Sequence, residues 1–281
     1  MLVVKVLQCR KLKRLGILVK IHQYLARIKY PGSREPTVET LRALQWAHLR
    51  TVPFENLSIH MNEPIVLNDE ALFDKIVRRR RGGFCYEANG LFAYLLREIG
   101  FDVVKLSTRV ANAEGVFGPE FDHMTLLVRL EQRWLVDVGF GDSFHYPLLL
   151  DERSEQIQGR RSYRIVDEGA SLLLLQRENN SDWTPQYRFK LTAHEYAEYE
   201  EMCRYHQTSP ESHFTRNIIC SKATAAGRVT ISGLRLIVTN ADGTRQETTL
   251  SGEDELLIVL QERFDISLPN GVRLGAKAPV G

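Results

Sequence analysis

At about residue 101 the hydrophobic pattern of this chain changes its period, and that change does most to limit the folds open to it. Before it, apolar residues recur at helical spacing. Ile21, Leu25 and Ile28 share one face, and Pro31-Gly32 ends that segment. Val38, Leu41 and Leu44 mark a second helix, opened by Pro36-Thr37 and stopped by Pro53. Asn68 caps a third, with Asp69 and Glu70 in its first turn and Leu72, Phe73, Ile76 and Val77 facing inward. The run Arg78 to Arg81 ends it and reads mostly as a solvated helix end, where cations are favourable. After residue 101 the period is two. Val103 to Leu106, Met124 to Leu130, Trp134 to Val138, Tyr163 to Val166, Leu172 to Gln176 and Tyr187 to Leu191 read as short strands between Gly, Pro, Asn and Asp clusters. Thr192-x-x-Glu195 reads as a capping box opening a helix toward Met202. Beyond it, Arg228 to Val238 and Thr244 to Leu250 flank the hairpin signal Asn240-Ala-Asp-Gly243. Ser251 then caps a last helix carrying Leu256, Leu257, Leu260 and Phe264. Helices, then strands, then a mixed piece predict an α+β chain rather than a βαβ array.

Composition narrows the function classes. The chain has 281 residues, 43% hydrophobic and 26% charged, which is ordinary globular usage. A net charge of +2 argues neither for nor against nucleic acid. No apolar run approaches the roughly 18 residues of a membrane span. The four cysteines, Cys9, Cys85, Cys203 and Cys220, are scattered, with no CxxC pair. A reduced, cytoplasmic setting is expected, and no metal, because no His/Cys pair has ligand spacing. The first acid is Glu35, preceded by nine basic residues from Lys5 to Arg34. That start is too short and too early charged for a signal peptide. A nucleic-acid arm and a dispensable extension are both compatible with it.

The residues with the most chemical content are Arg81-Gly-Gly-Phe-Cys-Tyr-Glu87. Gly82 and Gly83 allow a tight turn, and Cys85 then opens the apolar helical run Leu91, Phe92, Leu95, Leu96, Ile99, which Gly100 closes. A helix N-terminus has unpaired N–H groups and favours an anion, so a thiol there is expected to have a lowered pKa. The plainer reading is a buried structural cysteine, the commoner fate of a lone Cys. A thiol nucleophile needs a base, and the base an orienting group. Of eight histidines, only His123 opens a strand beside a turn-rich loop, Gly115 to Asp122. His22 and His48 fall in helices and suit packed or surface roles. Asp137 is an acid in an otherwise apolar strand, and such acids need a partner. A tight turn at Glu131-Gln132 would set Asp137 opposite Leu126 and leave His123 roughly 10 Å away along the strand. A bulge, another register or a shifted loop must then bring them together; otherwise Asp137 is a turn-facing or salt-bridged acid. Gly139-Phe-Gly141-Asp142 is a glycine-containing turn that a ligand could approach closely.

Taken together, several stretches resemble the arylamine N-acetyltransferase family, in its prokaryotic form. Val52-Pro-Phe-Glu-Asn-Leu57, Arg81-Gly-Gly-Phe-Cys-Tyr-Glu87, Asn89-Gly-Leu-Phe92, Phe121-Asp-His-Met124, Asp137-Val-Gly-Phe-Gly141 and Ser212-His-Phe-Thr-Arg-Asn217 follow that family's order and spacing, over about residues 18 to 270. The resemblance implies a papain-like thiol-enzyme arrangement in three parts: a helical bundle at 18–100 carrying the nucleophile, a β-barrel at 101–205 carrying the His and Asp, and an α/β lid at 206–281. It leaves residues 1–17 as a basic extension. It implies a triad of Cys85, His123 and Asp137, supported by a salt bridge between Glu55 and Arg81. It also implies ping-pong transfer of an acetyl group from acetyl-CoA, as cosubstrate, to arylamines, arylhydrazines or hydrazides. Phe54, Phe121 and Phe140 are candidate walls for the aromatic acceptor, and Gly139, Gly141 and Thr215 candidates for the CoA side. The loop Ala111 to Glu120 departs from the family pattern. The expected partners are small molecules, without nucleic acid or membrane, for a monomer or homodimer. Rival readings are an amide synthase that closes polyketide chains, a papain-like thiol hydrolase, and a catalytically silent binding protein.

Overall fold

The computed structural model describes residues 16–179 and 181–275. Most of the expected basic extension, residues 1–15, lies outside them. The helical part comprises α1 at residues 16–27, α2 (Val38–Thr51), α3 (Leu57–His60), α4 (Asp69–Phe73) and α5 (Cys85–Ile99). The expected caps form. Thr37 Oγ1 accepts from Thr40 N–H at 3.3 Å, and Asn68 Oδ1 from Ala71 N–H at 2.8 Å. Gly100 closes α5 at φ +114. Tyr24, Leu41, Leu44, Phe73, Phe92 and Leu95 form the core of this bundle, which continues into Val103, Leu126, Val128 and Val136 of the neighbouring sheet. After α4 the chain widens into a π turn, Asp74–Arg78. Arg27 fixes the end of that turn from the core. Its guanidinium donates to the carbonyls of Ile76 at 3.0 Å, Thr51 at 2.7 Å, and Arg80 and Arg81 at 3.3 Å each. Arg78 to Arg80 are exposed, as a solvated helix end should be, but Arg81 is buried.

The period-two region forms an eight-stranded antiparallel sheet. Its strands are β2 (Asp102–Val110), β3 (His123–Arg129), β4 (Arg133–Val136), β5 (Leu148–Leu149), β6 (Gln156–Gln158), β7 (Arg161–Glu168), β8 (Ser171–Glu178) and β9 (Thr184–Phe189). They run in the order β5-β4-β3-β2-β9-β8-β7-β6. The sheet curls until its two ends meet. The side-chain amide of Gln156 in β6 accepts from Leu149 N–H at 2.8 Å and donates to Leu149 O at 2.9 Å. Leu106, Leu127, Leu135, Phe144, Tyr163, Ile165, Leu174 and Tyr187 fill this barrel-like interior.

The last part holds α6 (Tyr196–Thr208), α7 (His213–Arg216), a sheet of β10 (Ile219–Thr224), β11 (Gly227–Ser232), β12 (Arg235–Asn240) and β13 (Arg245–Thr249), and α8 (Glu253–Phe264). A two-residue strand from the helical part, β1 (Phe54–Glu55), completes that sheet by pairing Phe54 with Ser221 and Glu55 with Cys220. The whole is the expected α+β architecture. Three local expectations shift. Residue 194 pairs with Lys105 at the edge of β2, so α6 starts later, with Glu195 as its cap. Glu198 Oε2 accepts from Glu195 N–H at 2.7 Å. The expected boundary at 205/206 therefore falls inside a helix. Arg228 to Val238 is two strands, split where Gly233 turns at φ +60. Ser251 is not the final cap: α8 begins after Gly252, and Ser251 N–H instead donates to Glu255 at 2.6 Å. Among the described residues, no helix is long and apolar enough to cross a membrane, and no group of three His, Cys, Asp or Glu is placed to hold a metal.

Candidate active site

Cys85 is the first residue of α5 and is buried. The turn before it is wedged against β1. A Cβ on Gly82 would lie 2.0 Å from Pro53 O, so only glycine fits there. Glu55 Nα–H donates to Gly83 O at 3.1 Å. The Glu55 carboxylate receives Arg81 Nε–H and Nη2–H at 3.0 Å each, Gly82 N–H at 3.2 Å and Leu57 N–H at 2.7 Å. Burial works to raise this carboxyl's pKa, but Arg81, Lys75 and the Leu57 N–H outweigh it and hold it below the usual range. Beside it lies a second buried pair, Lys75 and Glu87 at 2.7 Å. Burial and the nearby Glu55 push Glu87 up against the pull of Lys75. Glu87 Oε2 accepts from Phe84 N–H at 3.2 Å, capping α5 at the residue before the thiol. Two cations and two anions thus lock the turn that aims Cys85, and the expected Glu55–Arg81 bridge is one half of that cluster.

His123 and Asp137 meet. His123 Nε2 is 2.7 Å from Asp137 Oδ2, and both are buried. The counting that held them apart was wrong by one step of register. The hairpin loop has three residues, Leu130 to Gln132, so Arg129 faces Arg133 and Leu126 faces Val136 rather than Asp137. One step of register turns a side chain to the other face of a strand. Continued past Val136, the observed register sets Asp137 against Thr125. That places it on the same face as His123 and diagonally adjacent, within reach of long side chains. No bulge is needed.

Asp137 also receives Asn89 Nδ2–H at 2.9 Å, Gly139 N–H at 2.9 Å and the Tyr187 hydroxyl at 3.3 Å. A carboxylate on Nε2 selects the tautomer protonated there and leaves Nδ1 as the basic nitrogen. Asn89 is the anchor of this corner. Its amide also donates to Met124 O at 2.6 Å and accepts from Val138 N–H at 2.9 Å. Neither Asn89 nor Lys75 was picked out for such a role by reading the sequence. The available signal was polarity inside an apolar helical stripe, which states a need for a partner but not which one.

The thiol departs from expectation. Burial pushes the Cys85 pKa well up, and Asp122, Cys203 and Asp137 add to the rise, while the Met124 N–H opposes it. The helix N-terminus by itself does not make a thiolate here. A buried thiolate at Cys85 needs a cationic partner.

Phe140 stands edge-on to His123, with ring centroids 5.1 Å apart. Phe54 and Phe121 pack against the cluster that contains Cys85, Phe84 and Met124. Phe121 takes a left-handed φ of +63, and its carbonyl accepts from the Tyr86 hydroxyl at 2.6 Å. Phe54 and Phe121 thus pack against the cluster around Cys85, and Phe140 beside His123. The expected CoA-side groups are less open. Gly139 spends its N–H on Asp137, and Thr215 donates its hydroxyl to Ser209 O at 2.7 Å and Ser212 O at 2.9 Å. The Gly141 carbonyl accepts from Arg228. Of the other histidines, His22 is exposed beside Arg34, and His48 is buried against the Tyr24 hydroxyl at 3.0 Å, as their helical positions suggested.

A buried cysteine that opens a helix, on a fold that also buries a carboxylate-held imidazole, presents the residue types that a cysteine–histidine–aspartate enzyme uses. Comparison with known proteins narrows the class. A family model described as N-acetyltransferase matches residues 37–273. The arylamine N-acetyltransferase of Escherichia coli is 32% identical over 251 residues, covering 88% of this chain and 89% of that one. That of Mycolicibacterium smegmatis is 35% identical over 252 residues, covering 87% and 91%. Among solved structures, the Salmonella typhimurium arylamine N-acetyltransferase superposes with a TM-score of 0.84 at 30% identity, covering 92% and 96%. The Mycobacterium marinum enzyme in complex with CoA gives 0.81 at 33%, covering 88% and 92%. This chain belongs to the arylamine N-acetyltransferase family and is an acyltransferase.

Proposed function

We propose that this enzyme moves an acetyl group from acetyl-CoA to the nitrogen of arylamines, arylhydrazines or hydrazides through an acetyl-Cys85 intermediate. The observation that carries the reading is the buried His123–Asp137 pair at 2.7 Å in a family member whose Cys85 opens α5. His123 takes the thiol proton, and Asp137 holds the resulting imidazolium. The Cys85 thiolate adds to the thioester carbonyl. The oxyanion faces the first N–H groups of α5, Cys85 among them, where positive potential is concentrated. The carbon–sulfur bond to CoA breaks, and CoA leaves as the thiol with the proton from His123. The amine nitrogen then attacks the acetyl-cysteine and gives its proton to His123; the carbon–sulfur bond to Cys85 breaks, and His123 returns the proton to the sulfur. Anilines fit this step because they are largely uncharged at neutral pH, unlike lysine amines. Phe54, Phe121 and Phe140 supply aromatic walls for such an acceptor.

The test is intact mass measurement after mixing with acetyl-CoA, for wild type and Cys85→Ala. One acetyl group should appear on wild type alone and leave when an arylamine or hydrazide is added. An adduct on the Ala variant, or an adduct that no amine discharges, would overturn the proposal.

A further inference from the structure

The loop from Gly139 to Asp142 lies against the backbone of Cys85 and the ring of His123. A Cβ on Gly139 would lie 2.8 Å from Cys85 Cα, and the Phe140 ring packs on the His123 imidazole. Gly141 sits at φ +87. No strand holds this stretch, because β4 ends at Val136 and β5 starts at Leu148. Two arginines from different sheets hold it instead. Arg161 of β7 donates Nη1–H and Nη2–H to the two oxygens of Asp142, at 2.6 and 2.7 Å. Arg228 of β11 lies 2.7 Å from Asp142 Oδ1 through Nε. Its Nη1–H donates to Gly141 O, and to Ser221 Oγ at 3.0 Å. Arg228 is buried, and a buried guanidinium is tolerated only where its donors are matched. Burial works to raise the Asp142 pKa, but the two arginines bring it down to about 2, so the carboxylate is charged at any working pH. Outside the loop lies a cavity of about 330 Å³, bordered by Trp46, Asp142, Arg161 and Arg228. If the arginine contacts were lost, the loop would have room to retreat from Cys85.

We propose that Arg228 is a positioning residue for the reaction at Cys85, acting through Asp142 and Gly141 to press Gly139 and Phe140 against Cys85 and His123. The proposal rests on Cys85 and His123 being the reacting groups. It makes the last sheet part of the catalytic geometry, because β11 carries the arginine.

The experiment compares wild type, Arg228→Lys, Arg228→Gln, Asp142→Asn and the Arg228→Gln/Asp142→Asn double variant. Two rates are followed: single-turnover acetylation of Cys85 by acetyl-CoA, and Cys85 alkylation by iodoacetamide against pH. Arg228→Gln and Asp142→Asn should each slow acetylation on the order of 10- to 100-fold, the size expected of a small misplacement. Each should move the alkylation profile to higher pH, with kcat falling more than KM rises. Lysine should restore part of the rate. The double variant should lose no more than the worse single one, because both act through one contact. Wild-type alkylation profiles in folded variants, a change in KM alone, or losses that multiply in the double variant would overturn the proposal. If Arg228→Gln does not fold, Asp142→Asn keeps the side-chain shape and carries the same comparison. If wild type takes up no acetyl group, the proposed function fails, while the alkylation arm still reports on the loop.

Discussion

Asp137 faces four donors, on His123, Asn89, Gly139 and Tyr187, which fix its carboxylate in place. Asp137→Asn keeps the shape but offers the imidazole an amide, which no longer selects the tautomer. The expected loss in kcat/KM is on the order of 10²- to 10⁴-fold, read from steady-state acetylation of an arylamine. A second prediction concerns the thiol. Burial, with Asp122, Cys203 and Asp137 behind it, raises the Cys85 pKa, and the proposed reaction passes its proton to His123. Iodoacetamide should alkylate wild type readily at neutral pH. In His123→Ala the same reaction should need alkaline pH, and a neutral-pH rate equal to wild type would refute the pairing. Each member of the proposed triad was legible as a residue: the cysteine after two glycines, the histidine opening a strand, the acid in an apolar strand. Their meeting was less so, because a three-residue loop and a two-residue loop differ by one step of register, and one step decides the face. Asn89 and Lys75 were opaque for another reason. Asn89 contacts Asp137, 48 residues away in the chain, so no local pattern announces the pairing.

Among the elements, the turn before α5 concentrates the greatest electrostatic risk. Glu55→Gln removes the carboxylate closest to the buried Arg81 guanidinium and leaves it only Glu63, at 3.7 Å, which should cost about 3 kcal/mol in urea unfolding. A cost under about 1 kcal/mol would mean that the bridge supports neither fold nor site. In the helical bundle, His48 carries a pH signature. Burial, helped by Arg27, lowers its pKa from 6.5 to about 3. The unfolded chain therefore binds a proton at pH 6.5 that the folded chain refuses. Stability from this group is complete above about pH 6.5, falls as the pH drops, and levels off near pH 3. The loss approaches about 1.4 kcal/mol per pH unit for one proton. Urea unfolding free energies measured from pH 7 to 4 should show a shallower slope for His48→Gln than for wild type. The bundle and the barrel-like sheet were readable because periods of 3.6 and two differ plainly. Helix starts were less readable: residues 192–194 carry good capping chemistry, yet the edge of β2 claims residue 194 first.

At the scale of the molecule, the three expected parts are stitched together. β1 belongs to the first part by sequence and to the last sheet by pairing, and Leu57 packs with Cys220, Ile231 and Leu260. The full chain should therefore unfold in one calorimetric transition, with calorimetric and van't Hoff enthalpies equal. A fragment ending at residue 208 should show no cooperative transition, since β1 loses its strand partner. Two separable transitions in the full chain would show that the last sheet folds by itself. The three-part order was legible in the succession of periods, but this stitching was not, because a two-residue strand is too short to leave a period.

The closure of the eight-stranded sheet has a consequence for how the protein behaves in a crowded solution. A bare strand edge is a template on which other chains can polymerise. Here the ends of the large sheet are occupied with each other through Gln156. On the smaller sheet, β1 is bridged to Gly83, and the outer strand β13 is exposed throughout and carries Arg245 and Glu247. Charge on an outer strand discourages such templating. The same folding of strands that sets His123 against Asp137 also leaves little edge on which an amyloid-like stack could begin.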